Sequence, residues 1–373
     1  MKIFLWRLLP VTVMCVIFFE TGYNQVQHAS SKTKMEQSLS KKDLFGSDDT
    51  LKITLTGNIR ELMSDKSDDP KSYPLILSYK TEKGSEDSLN IQAKTRGHFR
   101  KSMGNCTYPP LLLQFTKGDS LSSSIFREQK KLKLVMPCGG DNYVIHEWLV
   151  YKIYNLVTPK SFKARLVSVE LNDTRKKKTT PPFYGILLEE DQQMAKRNHD
   201  ILIKKQLRPE QTDPIAFLKM AVFEYLIGNT DWSVQYQNIK LIAADSLATP
   251  IPVPYDFDHA GVVEAPYAKP AEELEMTSVR ERRYRGYCIA DLNKFDEVIA
   301  FYNHLQADIY KLYTDCPLLD TKYVKETIQY LDEFYKTINN PSTSKKAFSY
   351  PCDKNGTGNV IIKGLKYDHQ SEQ

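Results

Sequence analysis

No Cys-x-x-Cys pair occurs in the 373 residues, and the seven histidines form no cluster. That argues against a zinc site built on cysteine and leaves a softer metal without a ready ligand set. A glycine-rich loop of the GxGxxG or Walker kind is missing as well. No tract of basic residues interleaved with aromatics is present, and a formal charge of +5 is too small to indicate a nucleic-acid partner. No internal repeat is apparent. The apolar stretch from Leu8 to Phe19 is short for a stable span of a bilayer.

What is present is a chain 41% hydrophobic and 26% charged, long enough for one large domain or two lobes. Lys2 and Arg7 followed by the short apolar core read as a targeting segment. The expected organisation is a signal peptide or signal anchor over 1–27 and a flexible tether over 28–49. A β-rich half over 50–190, a mainly helical half over 191–364 and a disordered tail over 365–373 follow. Export is expected, to the periplasm, cell envelope or exterior, with any membrane attachment through the N-terminal segment alone. Cys106 and Cys138 flank predicted strands of the same half and suit a disulfide, although spacing alone does not fix the pairing.

Period-2 alternation predicts strands at "LKITLTG", "YPLILSY", "LNIQAKT", "PLLLQFT", "KLKLVMP", "ARLVSVEL" and "FYGILLEE". A helix fits "NYVIHEWLVYKIYNLV" between the fifth and sixth of them. From about Asp191 the period becomes helical. "TDPIAFLKMAVFEYLIG" has Asp213 as cap, Pro214 at its first position and Gly228 at its stop, with Ile215, Leu218, Val222 and Tyr225 on one face. Two short strands, "NIKLI" and "IPVPYDFD", follow, and the stretch from Asp291 to Asn340 is helical by its tyrosine and leucine spacing. The fold class expected is α+β, with two lobes and a cleft between them.

The polar residues that interrupt this pattern fall in a definite order. Asp231 lies just past a helix end, Asn238 opens a hairpin, and the return strand runs into Asp256 and Asp258. Phosphoryl transfer needs these side-chain types: one carboxylate for the proton of the attacking hydroxyl, and an amide oxygen with another carboxylate for a hard divalent ion. On a strand Asp256 and Asp258 point to the same side, so either or both could be ligands. Each residue taken alone is more often a turn or loop residue; their order around one hairpin favours the functional reading.

"GNTDW…QNIKL…PVPYDFD" resembles the core of CotH-type atypical kinases and, more distantly, of HipA-type kinases. The resemblance extends upstream through "AKTRGHFRK", "KKLKLVMPCGGD" and "RLVSVELND", covering roughly residues 50 to 265. It implies a bilobal protein-kinase-like fold, with a β-rich N-terminal lobe and a mainly helical C-terminal lobe, that binds ATP and Mg2+ or Mn2+ between them. On that resemblance Asp231 is the base, Asn238 a metal ligand and Asp256 the DFG-position aspartate. Typical kinases place the Asn five positions after the Asp, whereas here it lies seven after, with Gln235 and Gln237 between.

The same resemblance gives Lys133 to the α- and β-phosphates, with Glu147 on the next helix as its ion-pair partner. Arg96 and Arg100, around Gly97, stand where the family covers the phosphates. Glu189, Glu190 and Asp191 fall at the hinge, where Glu190 could touch ribose. Arg280, Arg282, Arg283 and Arg285 fall in the activation or substrate segment, where they form either a solvated face or a grip on an acidic acceptor. Two readings follow: a metal-dependent kinase acting on a protein or small-molecule hydroxyl, and a catalytically inactive relative that binds nucleotide. A hydrolase using Asp256 and Asp258 is disfavoured by the lack of histidine ligands.

Overall fold

Alternating burial runs through the first strands because each has one apolar face and one polar face. In β1 (Leu51–Gly57), Leu51, Ile53 and Leu55 are buried while Lys52 is exposed. Strands β2 (Tyr73–Lys80), β3 (Glu86–Thr95), β4 (Leu111–Phe115), β5 (Lys131–Val135), β6 (Ala164–Asp173), β7 (Lys178–Thr179) and β8 (Phe183–Leu188) follow. The computed structural model describes residues 43–349 apart from 82–83, 98, 103–105, 117 and 290. The targeting segment, most of the tether and the tail over 365–373 lie outside the described residues. Among the described residues no helix is long and apolar enough to cross a membrane.

The strands run in the order β1-β2-β3-β4-β5-β8-β6, with the two-residue β7 attached to β6. Strand β6 then pairs in parallel with β1, from Leu51 opposite Val167 to Gly57 opposite Asp173. That pairing closes the sheet into a seven-stranded barrel filled by Leu55, Leu77, Leu113, Leu134, Val169 and their neighbours. The expected bilobal protein-kinase-like fold is therefore corrected. The α+β content stands, but the β-rich half is a barrel closed on its own core. Alternation shows which face of a strand is buried; it does not show that the first strand will meet the sixth.

Helices α1 (Ile59–Ser64), α2 (Phe99–Ser102) and α3 (Asp119–Ser123) are short pieces between barrel strands. Helix α4 (Asp141–Val157) covers the outer face of β6 and β8, where Leu166, Ile186 and Leu188 join a second core. After α5 (Asp191–Arg197) come β9 (Ile201–Ile203), α6 (Pro214–Ile227), β10 (Ile239–Ala243) and β11 (Ile251–Pro254), the three strands forming a small sheet. Helices α7 (Phe295–Thr314), α8 (Thr321–Ile338) and α9 (Pro341–Phe348) complete this core. Helix α6 is not one-faced as expected, because from Phe217 to Ile227 nearly every residue is buried and Ile215 is exposed. Leu44, within the stretch read as a tether, is buried in the barrel core. Cys106 and Cys138 form a disulfide, Cys288 is in another, and Cys316 is free.

Candidate functional site

The loop carrying Asp231 begins where α6 must stop. Gly228 caps the helix in the left-handed conformation, φ 69°, and a Cβ there would run into the hydroxyl of Tyr330. Asn229 then accepts the backbone N–H of Asp231 through Oδ1 at 3.0 Å. A tight turn follows, in which Ser233 N–H donates to the Gln237 carbonyl at 2.9 Å and Gln237 N–H returns to the Ser233 carbonyl at 3.1 Å. This turn absorbs the two extra residues of the Asp231–Asn238 spacing. It brings the Asn238 amide back to Asp231, where Nδ2 donates to the backbone carbonyl at 2.6 Å and to Oδ2 at 3.1 Å. Gln237 Nε2 donates to the other carboxylate oxygen.

Asn238 and Asp256 flank the β10–β11 hairpin at its open end, and both are left-handed, with φ 58° and 65°. Asn and Asp tolerate this region better than other non-glycine residues, yet each position stores about 1 kcal/mol of strain. The Tyr255 N–H donates to the Asn238 carbonyl at 3.0 Å across the hairpin, and the Asp256 N–H donates to the Tyr151 hydroxyl at 3.0 Å. The Asp256 side chain is open to solvent and, among the described residues, has no hydrogen-bond partner. Protein nevertheless surrounds it on most sides, so burial, followed by the charge of Asp258, raises its pKa. Burial likewise lifts Asp231 to about 6, with Asp258 and Asp256 adding and His259 and Arg285 opposing. Asp231 thus lies close enough to Asp256 and Asp258 to feel both charges.

Asp258 is already neutralised. Arg100 donates to its Oδ2 from Nη2 at 2.7 Å and Nε at 3.1 Å, and the Tyr267 hydroxyl adds a third bond at 3.0 Å. Burial alone would raise this carboxyl, but Arg100 and His259 outweigh it and hold it at about 2. The same Arg100 Nη2 donates to Glu147 Oε2 at 3.2 Å, and Glu147, buried beneath it, has its pKa raised chiefly by desolvation.

The expected Lys133–Glu147 pair is therefore corrected: Glu147 belongs to Arg100, and Lys133 pairs with Asp191 at 2.7 Å. The register explains the difference. Leu132 and Leu134 belong to the barrel core, so Lys133 between them leaves on the outer face. It stands opposite Leu188, three residues before Asp191. Lys240 reaches the other oxygen of Asp191 at 3.1 Å.

Arg96 is half-buried, and its charge acts on Lys133 and on Asp256. Arg100, expected over the phosphates, is committed to Asp258 and Glu147. Glu190 accepts the N–H groups of Gln192 at 3.0 Å and Gln193 at 3.3 Å, which makes it the cap of α5. Glu189 holds Arg197 through two bonds of 2.9 Å. The arginine run serves its own chain: Arg282 Nε donates to the Leu226 carbonyl at 3.2 Å, and Arg280 pairs with Glu264. Arg285 Nη1 donates to the carbonyls of Thr230, at 2.6 Å, and Trp232, on either side of Asp231.

Sequence reasoning missed Lys240, the lysine-bridging role of Asp191, and the hold of Arg285 on the carbonyls beside Asp231. Lys240 is the one polar residue of the apolar strand Ile239–Ala243, a signal that was available. Nothing in the pattern separates Arg285 from the other arginines of its run.

Among the described residues no group of three or more His, Cys, Asp or Glu stands ready to hold a metal ion. Two oxygen ligands of other composition do fit one. Asn238 donates through its nitrogen, which leaves Oδ1 as an acceptor, and among the described residues nothing donates a hydrogen bond to the exposed carboxylate of Asp256. Asp258 has its Oδ2 taken by Arg100 and Tyr267, so only its Oδ1 is left to offer such an ion.

No family model matches the sequence, and no curated protein matches it either. Among solved structures, the proinflammatory kinase CtkA of Helicobacter pylori is similar, at 13% identity over 65% of this chain and 90% of that chain, with a TM-score of 0.38. A likeness at that level carries no argument about activity.

Proposed function

We propose that the chain is an exported, CotH-like phosphotransferase that moves the γ-phosphate of ATP to a hydroxyl of a protein or small molecule. The observation that supports this most is the direct contact of Asn238 with Asp231, on a hairpin whose other strand delivers Asp256. A proton acceptor and two oxygen ligands then belong to one cleft. A bound Mg2+ or Mn2+ would supply positive charge against the phosphate oxygens, held by Asn238 Oδ1 and Asp256.

Asp231, with a pKa near 6, is mostly ionised at neutral pH yet basic enough to accept a proton. Gln237 and Asn238 fix the orientation of its carboxylate. The acceptor oxygen forms its bond to the γ-phosphorus as the bridge to the β-phosphate breaks. The hydroxyl proton passes to Asp231, and ADP leaves with the bridging oxygen. Lys133 and Arg96 offset charge on the phosphates. Export is proposed from the positive start and apolar core of the first 27 residues.

A second reading, a nucleotide-binding relative without turnover, is favoured by one observation. Arg100 neutralises Asp258, leaving the cleft with fewer free acids than the order of residues promised. Radiolabelled ATP with Mg2+ or Mn2+ separates the two. Transfer by the wild type that falls at least about a hundredfold in Asp231→Asn and Asp256→Ala, both still folded by thermal melting, supports the enzyme. Transfer undiminished in Asp231→Asn rejects this assignment, and nucleotide binding without transfer establishes the second reading.

A further inference from the structure

One corner of the proposed cleft, between β5, β10 and the start of α5, gathers three cations, Lys133, Lys240 and Arg96, beside the carboxylate of Asp191 and next to Asp256. Lys133 and Lys240 reach different oxygens of Asp191, at 2.7 and 3.1 Å. Both ammonium groups also lie over the ring of Tyr255, at 5.0 and 5.3 Å from its centroid, and Lys133 lies 5.5 Å from that of Phe162. Arg96 adds a third cation that acts on both Lys133 and Tyr255. Lysines are seldom drawn together away from water unless an anion lies between them. Tyr255 is followed directly by Asp256, so this corner adjoins the exposed carboxylate at the end of the hairpin.

We propose that Lys133 and Lys240 form a two-cation cradle for a pyrophosphoryl group, with Asp191 as the internal anion that competes for both lysines. The spacing suits such a ligand. Two ammonium groups that each take a separate oxygen of Asp191 can each take an oxygen of linked phosphates once that carboxylate gives way. The aromatic rings lie beside both ammonium groups and attract a cation, against the burial that lowers the Lys133 pKa. Asp191 would then set how tightly the group is held. The nucleotide as its source rests on the phosphotransferase reading, whereas the cradle itself needs only the pyrophosphoryl chemistry.

The test is calorimetric titration of the full chain with magnesium pyrophosphate and, separately, with magnesium ATP. It compares the wild type, Lys240→Gln and Asp191→Asn, each checked by thermal melting. Asp191→Asn is expected to tighten both ligands about tenfold and Lys240→Gln to weaken both about tenfold, as removal of a competing or an attracting charge should. Tighter binding of ATP than of pyrophosphate would identify a nucleotide as the source.

Unchanged binding in a folded Lys240→Gln, or weaker binding in a folded Asp191→Asn, overturns the cradle. Should either variant unfold, the lysine 13Cε signals of the wild-type chain decide: movement of Lys240 on adding pyrophosphate supports the cradle, and its absence overturns it. Failure of the enzyme reading looks different. Lys240-dependent binding without transfer removes the enzyme and leaves the cradle, while transfer undiminished in Lys240→Gln does the reverse.

Discussion

The side-chain amide of Asn238 donates twice to Asp231, to its backbone carbonyl at 2.6 Å and to its carboxylate at 3.1 Å. One residue thus fixes the loop and aims the acid, and it does so from a left-handed backbone position. Asn238→Gly should keep the backbone conformation and lose only the amide. Asn238→Ala should lose both and be less stable than Asn238→Gly by about 1 kcal/mol. Urea denaturation of the two variants checks the order.

Asp231 gives a pH dependence with a definite sign. Its pKa is raised from 3.8 to about 6 in the folded chain, so folding favours its protonated form. The stability it contributes is therefore present below about pH 4 and is lost as pH rises through 6. Asp231→Asn should stabilise the protein at pH 8 by about 1–2 kcal/mol, allowing for partial exposure to water, and by little at pH 4. Phosphoryl transfer by the wild type should rise with pH along a limb centred near 6, and Asp231→Asn should lower it roughly 10²–10⁴-fold. Thermal melts and rate profiles across pH 4–8 measure both.

Arg285 grips the carbonyls on both sides of Asp231 and is buried. Its charge also lowers the Asp231 pKa. Arg285→Gln, which removes the charge, should therefore move the acid limb of the rate profile upward and reduce kcat more than it changes KM for ATP. A fall in stability with an unmoved limb would mean the grip is purely structural.

The Cys106–Cys138 bond closes a loop with a sequence separation of 32. Replacing both residues by serine should cost roughly 2–4 kcal/mol, mainly by freeing the unfolded chain. Calorimetric melting of the double variant beside the wild type tests this.

The barrel strands were readable because a strand with one buried face writes that face into every second residue, as Leu51, Ile53 and Leu55 do. Barrel closure was not readable, since it depends on Leu51 meeting Val167 across more than a hundred residues. The order Asp231, Asn238, Asp256 was legible in residue types and turn signals. The meaning of its unusual spacing was not, because it required the Ser233–Gln237 turn to fold the loop back. Ion pairs were the least legible part. Glu147 and Lys133 are near in sequence, but the strand register sends Lys133 to Asp191, and Arg100 comes from the short helix α2 to take Glu147 and Asp258.

The central claim is that Asn238 and Asp256 serve one divalent ion beside Asp231. Electron paramagnetic resonance of Mn2+ in the presence of ATP tests it most directly. The account predicts that the wild type binds one ATP-dependent ion and that Asn238→Ala and Asp256→Ala each weaken it at least about tenfold, while Glu190→Gln does not. Equal Mn2+ binding by wild type, Asn238→Ala and Asp256→Ala would contradict it.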